Sequence, residues 1–364
     1  MPPKEKAKAS IADVLSAASK KYADKYTMGF VADAKFLSTN NIGLEDILGG
    51  GVAVGRIAQF YGKSQSGKTT AALQTAGLAQ QAILEEGSDD IILYMDYECA
   101  LDETYARNLG LDVHDTSFAL FRPEDFETGA NLTRDLIQTG KVRLLVWDSV
   151  AAAIPSSVID DDIGKAAVAP LARLMSPFLG MLNPLLLKHD TSAIFINHLH
   201  AAIGGMPGFG PPQKTRPGGE KLTYYSSQMV EFIGTTKEKG KVINVYGEEV
   251  EVPVATEVKM VCTKNKVAMP QREAKALVRY GIGFDNLWAA RKVLEHNKLI
   301  TSAGAWIKID ESLGGDSFNG AAKFNEKAVS DPRWRQKLID AAVKILEEDR
   351  AKKSTGPVEV DEVG

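Results

Sequence analysis

The stretch "FYGKSQSGKTTAAL" (60–73) sets glycine, glycine, lysine and a hydroxyl at Gly62, Gly67, Lys68 and Thr69, in the order G-x-x-x-x-G-K-[ST]. A β-rich run, "RIAQFY" (56–61), stands before it and a helical run follows, which is the context that makes this pattern a phosphate-binding loop. Glycine lets backbone N–H groups turn inward around a phosphate, and the following helix adds its positive end. Lys63, Ser64, Gln65, Ser66 and Thr70 fill out the cradle. Lys68 is expected to reach the β- and γ-phosphates of ATP, and Thr69 to hold Mg2+.

Three more apolar runs repeat the strand signal: "IILYMD" (91–96), "RLLVWD" (143–148) and "SAIFIN" (192–197). Each ends in a polar residue, and helical stretches lie between them. This alternation predicts an α/β fold with a mainly parallel sheet, flanked by helices, whose ligands sit at the carboxyl ends of the strands. Asp148 ends its strand as a carboxylate that orients metal-bound water does. Glu98, in "MDYECALDETYARNLG" (95–110), follows what reads as the strand beside the phosphate-loop strand, where a carboxylate polarises an attacking water as general base. Later alternating runs, "MVEFIGTT" (229–236) and "ATEVKMVCTKNK" (255–266), read as added antiparallel strands.

The composition sets outer limits. The 364 residues are 44% hydrophobic and 25% charged, with a net charge of −4, enough for one large core and a smaller domain. Mild acidity argues against coating nucleic acid by bulk charge but permits a local basic channel. Two cysteines, Cys99 and Cys262, imply no disulfide framework. The opening "MPPKEKAKAS" lacks a signal-like apolar run, and no segment reaches the ~18 apolar residues of a membrane helix, so a cytoplasmic protein with no membrane partner is expected.

Outside the core, Ile11, Val14, Leu15, Ala18 and Tyr22 recur at helical spacing behind a Ser10 cap. That stripe suits an arm that packs on a neighbouring copy. The chain is accordingly divided into an oligomerisation helix and linker (1–38), an ATPase core (39–283), a small C-terminal α/β domain (284–346) and a polar tail expected to be disordered (347–364). The C-terminal domain holds three of the four tryptophans; Trp306 is expected in its core.

Taken in order, "GRIAQFYGKSQSGKTT", "DYECALDETYARNLG", "LLVWDSVAAAIP", "IFINHLH", "PGGEKLTYYSS", "KNKVAMPQ" and "AGAW" resemble the RecA recombinases, bacterial and phage members alike, over residues 37 to 310. The resemblance implies a RecA-like P-loop NTPase core. It also implies an ATP-dependent, DNA-stimulated activity, with helical filaments on single-stranded DNA and pairing with double-stranded DNA. Glu98 takes the place of the catalytic glutamate, and Asp102 and Tyr105 take the adenine-contacting places. His198 stands at the switch position, where bacterial members carry glutamine. Lys264 and Lys266, two apart and so on one side of a strand, match lysines that reach the neighbouring subunit's ATP.

Two segments read as DNA-binding loops, 155–173 and 199–219. Phe209, Lys214 and Arg216 supply an apolar wedge and phosphate partners, Arg173 a further cation, and Gly218 and Gly219 close the second loop. Val168 and His200 depart from the methionine and arginine of bacterial members, and Asp160, Asp161 and Asp162 make the first loop acidic. A ring helicase of the DnaB type is a competing reading, disfavoured by the short arm and the "KNK" lysines. A non-hydrolysing recombination mediator is another, disfavoured by intact Lys68, Glu98 and Asp148.

Overall fold

The computed structural model describes residues 34–159, 170–201, 214–215 and 217–355, together with Ser16 and Lys20. The chain forms two compact units, Met1–Ala34 and Lys35–Gly364. In the first, Ser16 and Lys20 are helical and exposed, while the stripe Ile11, Val14, Leu15, Ala18 and Tyr22 lies outside the described residues.

The second unit begins with a two-stranded ribbon, β1 (Phe36–Leu37) and β2 (Val52–Ala53), around helix α1 (Ile42–Leu48). Then follow β3 (Ile57–Gly62), α2 (Lys68–Glu86), β4 (Ile91–Asp96), α3 (Glu103–Asn108), β5 (Phe118–Phe121), α4 (Phe126–Gln138) and β6 (Val142–Asp148). After these come α5 (Ser156–Ile159), α6 (Pro170–Lys188), β7 (Ser192–His198), β8 (His200–Ala201), β9 (Lys214–Thr215) and α7 (Gly219–Tyr225). The long strands β10 (Gln228–Ile243) and β11 (Glu249–Asn265) lead to β12 (Arg272–Arg279) and β13 (Gly283–Phe284).

Among the described residues, nine strands make one sheet in the order β13-β12-β11-β10-β3-β7-β6-β4-β5. From β10 to β5 neighbours run parallel; β11, β12 and β13 turn back antiparallel at one edge. The mainly parallel α/β fold read from the apolar runs is the observed one. Two details differ. β10 is antiparallel to β11 but parallel to β3 over Gln228–Phe232, so it joins the parallel part of the sheet to the antiparallel edge. And β4 is not beside β3: β7 and β6 stand between them, so Glu98 follows a strand next to β6 instead.

Strand periodicity places the site. In β6, Leu144 and Val146 pack toward α2, whereas Leu145 and Trp147 enter the opposite core with α4 and α6. Trp147 is fully buried there, 4.9 Å from the Tyr97 ring, 5.2 Å from Phe178 and 5.7 Å from Phe195. That packing fixes the end of β6, so Asp148, one residue on, faces α2.

A third core gathers α8 (Asn286–His296), β14 (Ile300–Ala303), β15 (Trp306–Ile309), β16 (Ser317–Asn319), α9 (Ala321–Ser330) and α10 (Pro332–Thr355) around Leu294, Ile307, Phe324 and Trp334. Trp306 is not in it. Alternation along β15 gives the buried face to Ile307 and Ile309 and leaves Trp306 48% exposed. The expectation of disorder from 347 also fails as far as Thr355, because "KILEEDRAKKST" continues α10 with good helix formers; residues 356–364 lie outside the described ones.

Candidate functional site

The cradle is built where β3 meets α2. Gly62 has φ +157°, and a Cβ there would lie 2.2 Å from the Phe232 carbonyl oxygen on β10. Only glycine fits so close a backbone approach. Gln65 and Gly67 also adopt positive φ, 59° and 90°, turning the loop before α2 begins at Lys68. Lys63, Ser64 and Gln65 are exposed, whereas Ser66 is buried and donates its hydroxyl to the Lys63 carbonyl, 2.8 Å away.

Lys68 is buried and folds back over the loop, its Nζ donating to the Lys63 carbonyl at 2.7 Å. Burial lowers its pKa from 10.5 to about 8, opposed by the negative charges of Asp148 and Glu98. An ammonium held at this cost regains its charge stabilisation when an anion enters the loop.

Asp148 is buried as well. Its Oδ2 accepts from Thr69 Oγ1 at 3.1 Å and from the Tyr94 hydroxyl at 2.8 Å, while Oδ1 is buried without a hydrogen-bond partner. Desolvation raises its pKa from 3.8 to about 6. A spare buried carboxylate oxygen beside a threonine hydroxyl fits Mg2+, which binds through one or two carboxylates and completes its shell with phosphate and water. Among the described residues no three His, Cys, Asp or Glu side chains gather as an all-protein metal cage.

Glu98 is presented by a loop that Asp96 organises. Asp96, buried at the end of β4, accepts from the N–H groups of Ala100 and Leu101 and from Arg122 Nε at 3.1 Å. The Tyr97 N–H donates to the Asp148 carbonyl at 2.8 Å, which ties this loop to the end of β6. Glu98 Oε1 meets His198 Nε2 at 2.8 Å, with Glu98 34% and His198 23% exposed. That hydrogen bond holds the Glu98 pKa below the usual glutamate value against the opposing effect of burial, and the Lys68 charge adds to it. Asp96 and Arg122 escaped the sequence reading; the acid ending "ILYMD" was their signal, in the same place as Asp148.

Asp102 caps α3, accepting from the Tyr105 N–H at 2.7 Å. The half-buried Tyr105 shares a 2.7 Å hydroxyl contact with Thr70 Oγ1, joining α3 to the first turn of α2. Lys68, Thr69, Asp148, Glu98 and His198 thus form one cluster, with Asp102 and Tyr105 at its flank.

Lys264 and Lys266 are engaged elsewhere. Lys264 Nζ donates to the carbonyls of Thr223 and Tyr224 at 2.5 and 3.0 Å, and Lys266 Nζ lies 5.8 Å from the Tyr224 ring centre. Both therefore lie against the C-terminal end of α7, where helix carbonyls lack intrahelical partners. Burial lowers the Lys264 pKa, and the charge of Lys266 lowers it further.

Of the residues expected at DNA, Arg173 is exposed on α6, and Lys214 stands in β9 opposite Ala201. Gly218 is buried at φ +85°, and a Cβ there would lie 2.9 Å from Val150 Cγ1. Gly219, at φ +73°, starts α7 against Ala172. Close packing and a positive φ favour glycine at both positions. Phe209, Arg216, Val168 and Asp160 to Asp162 lie outside the described residues.

Fold and cradle together define a P-loop protein of the α/β class. A family model, the RecA N-terminal domain, matches residues 9–285. Protein RecA of Streptococcus pneumoniae strain Hungary19A-6 is 37% identical over 329 residues, 88% of this chain and 80% of that protein, and strain JJA gives the same figures. The crystal structure of the RadB recombinase is 23% identical, covers 68% of this chain and 98% of its own, and has a TM-score of 0.48. The chain belongs to the RecA family. No helix among the described residues is long and apolar enough to cross a membrane.

Proposed function

We propose that this protein is an ATP-dependent recombinase that assembles as a helical filament on single-stranded DNA and exchanges strands with a homologous duplex. The observation that carries the reading is the cluster of Lys68, Thr69, Asp148, Glu98 and His198 around a glycine-turned loop. The two lysines, the DNA loops and filament assembly rest on kinship with proteins named RecA.

In this mechanism the loop from Gly62 to Thr70 receives the phosphates of ATP, and Lys68 neutralises charge that builds on the transferred phosphoryl group. Thr69 and Asp148 hold Mg2+, which when bound withdraws charge from the phosphate oxygens. Tyr105 and Asp102 border the adenine. Glu98 accepts a proton from the attacking water, and its lowered pKa keeps it ionised for that task. His198 senses the γ-phosphate. Lys264 and Lys266 complete the site of an adjacent copy, while Arg173, Phe209, Lys214, Arg216 and the turn at Gly218 and Gly219 belong to the DNA-facing side. The domain division 1–38, 39–283 and 284–346 is part of the proposal.

The test is ATP hydrolysis with and without single-stranded DNA, followed by pairing with a homologous duplex and by electron microscopy. The expected result is DNA-stimulated hydrolysis, joint molecules and filaments. Rings would favour the helicase reading. Nucleotide binding without turnover would favour the mediator.

A further inference from the structure

Asn197 follows the apolar run of β7 and is fully buried. A carboxamide is kept in such a place only when both of its ends are paired. Its Nδ2 donates to the Pro217 carbonyl at 2.8 Å, and its Oδ1 accepts from the His198 N–H at 2.9 Å. These partners fix the amide's orientation, because a carbonyl takes only a donor and an N–H only an acceptor. His198 then reaches Glu98 at 2.8 Å. On the other side, the chain at Pro217 is anchored by Gly218, which packs on Val150 two residues beyond Asp148. The ladder His200↔Thr215 and Ala201↔Lys214 draws the same two stretches of chain together.

We propose that Asn197 is a positioning residue, locking His198, and through it Glu98, to the backbone at Pro217. An apolar side chain of the same shape would take this partner from the part-buried His198 N–H and from the part-buried Pro217 carbonyl, and leave the His198 backbone without that tether. Sub-ångström placement of the carboxylate against the attacked phosphorus then depends on an amide that touches neither. The inference rests on the reading of Glu98 as general base.

The test uses the full-length chain. Asn197→Asp keeps an acceptor for the His198 N–H and removes the amide donor to Pro217; Asn197→Ser is a second variant should the first not fold. Three quantities are measured: kcat and KM for ATP, affinity for a fluorescent ATP analogue, and the imidazole 15N signals of nucleotide-free protein, with His198 identified by its absence in His198→Gln. The expected result is a fall in kcat of about tenfold or more, with KM and analogue affinity within about threefold of wild type. The His198 signal shifts in parallel. Wild-type kcat with an unmoved His198 signal in a folded variant overturns the inference. So does equal loss of affinity and turnover, which would mark a merely structural amide. Failure of the parent reading looks different: Glu98→Gln would then hydrolyse ATP at the wild-type rate.

Discussion

The cradle at the end of β3 and the lysine pair at the end of β11 belong to one sheet but are satisfied in opposite ways. In the cradle, polar groups pair within the loop or across the carboxyl ends of the strands: Lys68 on Lys63, Thr69 and Tyr94 on Asp148, Glu98 on His198. Among the described residues the buried Oδ1 of Asp148 is left without a hydrogen-bond partner, placed for a cation. The lysines rest on carbonyls at the end of a seven-residue helix and are tied to no residue of the cradle by the bonds they make. One region is preorganised; the other carries charge that a better acceptor can draw away. On this account a single chain contains a complete phosphate cradle and an incomplete catalytic site.

The comparison breaks first if the cradle is dispensable. Lys68→Ala removes the buried cation and is expected to lower kcat/KM for ATP by on the order of 10³-fold; isothermal titration with an ATP analogue should show binding lost too. Glu98→Gln sharpens the point, since it spares the phosphate contacts. Turnover should fall roughly 10²- to 10³-fold while nucleotide and DNA affinity stay, and a wild-type rate would remove Glu98 from its role.

Asp148 supplies a smaller, opposite effect on stability. Its folded pKa, about 6, lies above the ordinary 3.8, so between these values the folded chain retains a proton the unfolded chain has released. Its contribution to stability therefore falls as pH rises from 4 to 6, and the cost persists at neutral pH. Asp148→Asn should stabilise the nucleotide-free protein by on the order of 2–3 kcal/mol at pH 7, a gain that shrinks toward pH 4, while hydrolysis is lost. Thermal unfolding against pH checks this, and a destabilised variant at pH 7 would contradict it. The smallest effect belongs to Tyr105→Ala, expected to weaken nucleotide binding by roughly 5- to 10-fold through lost ring contact. Tyr105→Phe should retain most of that affinity although it loses the bond to Thr70.

Much of this was legible in the chain. Apolar runs ending in Asp96, Asp148 and Asn197 mark strands buried on both faces and the edge where ligands gather, and the loop from Gly62 to Thr69 names its own chemistry. Strand order is not legible, because local pattern carries no record of which strands are neighbours; β7 and β6 stand between β3 and β4, so the strand before Glu98 lies two places farther from the phosphate-loop strand than the sequence suggests. Trp306 faces solvent because alternation along β15, not the average burial of tryptophan, decides its side. Asn197, Asp96 and Arg122 stayed hidden because a buried polar residue shows its purpose only through partners distant in sequence.

The central claim is that the cradle of one copy is completed by the lysines of the next, and a mixing experiment tests it most directly. Lys264→Ala with Lys266→Ala should bind ATP yet lack DNA-stimulated hydrolysis, and Glu98→Gln should lack it for the separate reason given above. In a mixture, an interface that joins the intact Glu98 of the first variant to the intact lysines of the second is whole. The account predicts hydrolysis in the mixture above the sum of the two variants measured alone. Hydrolysis no higher than that sum, with both proteins shown to co-assemble on single-stranded DNA, would contradict it.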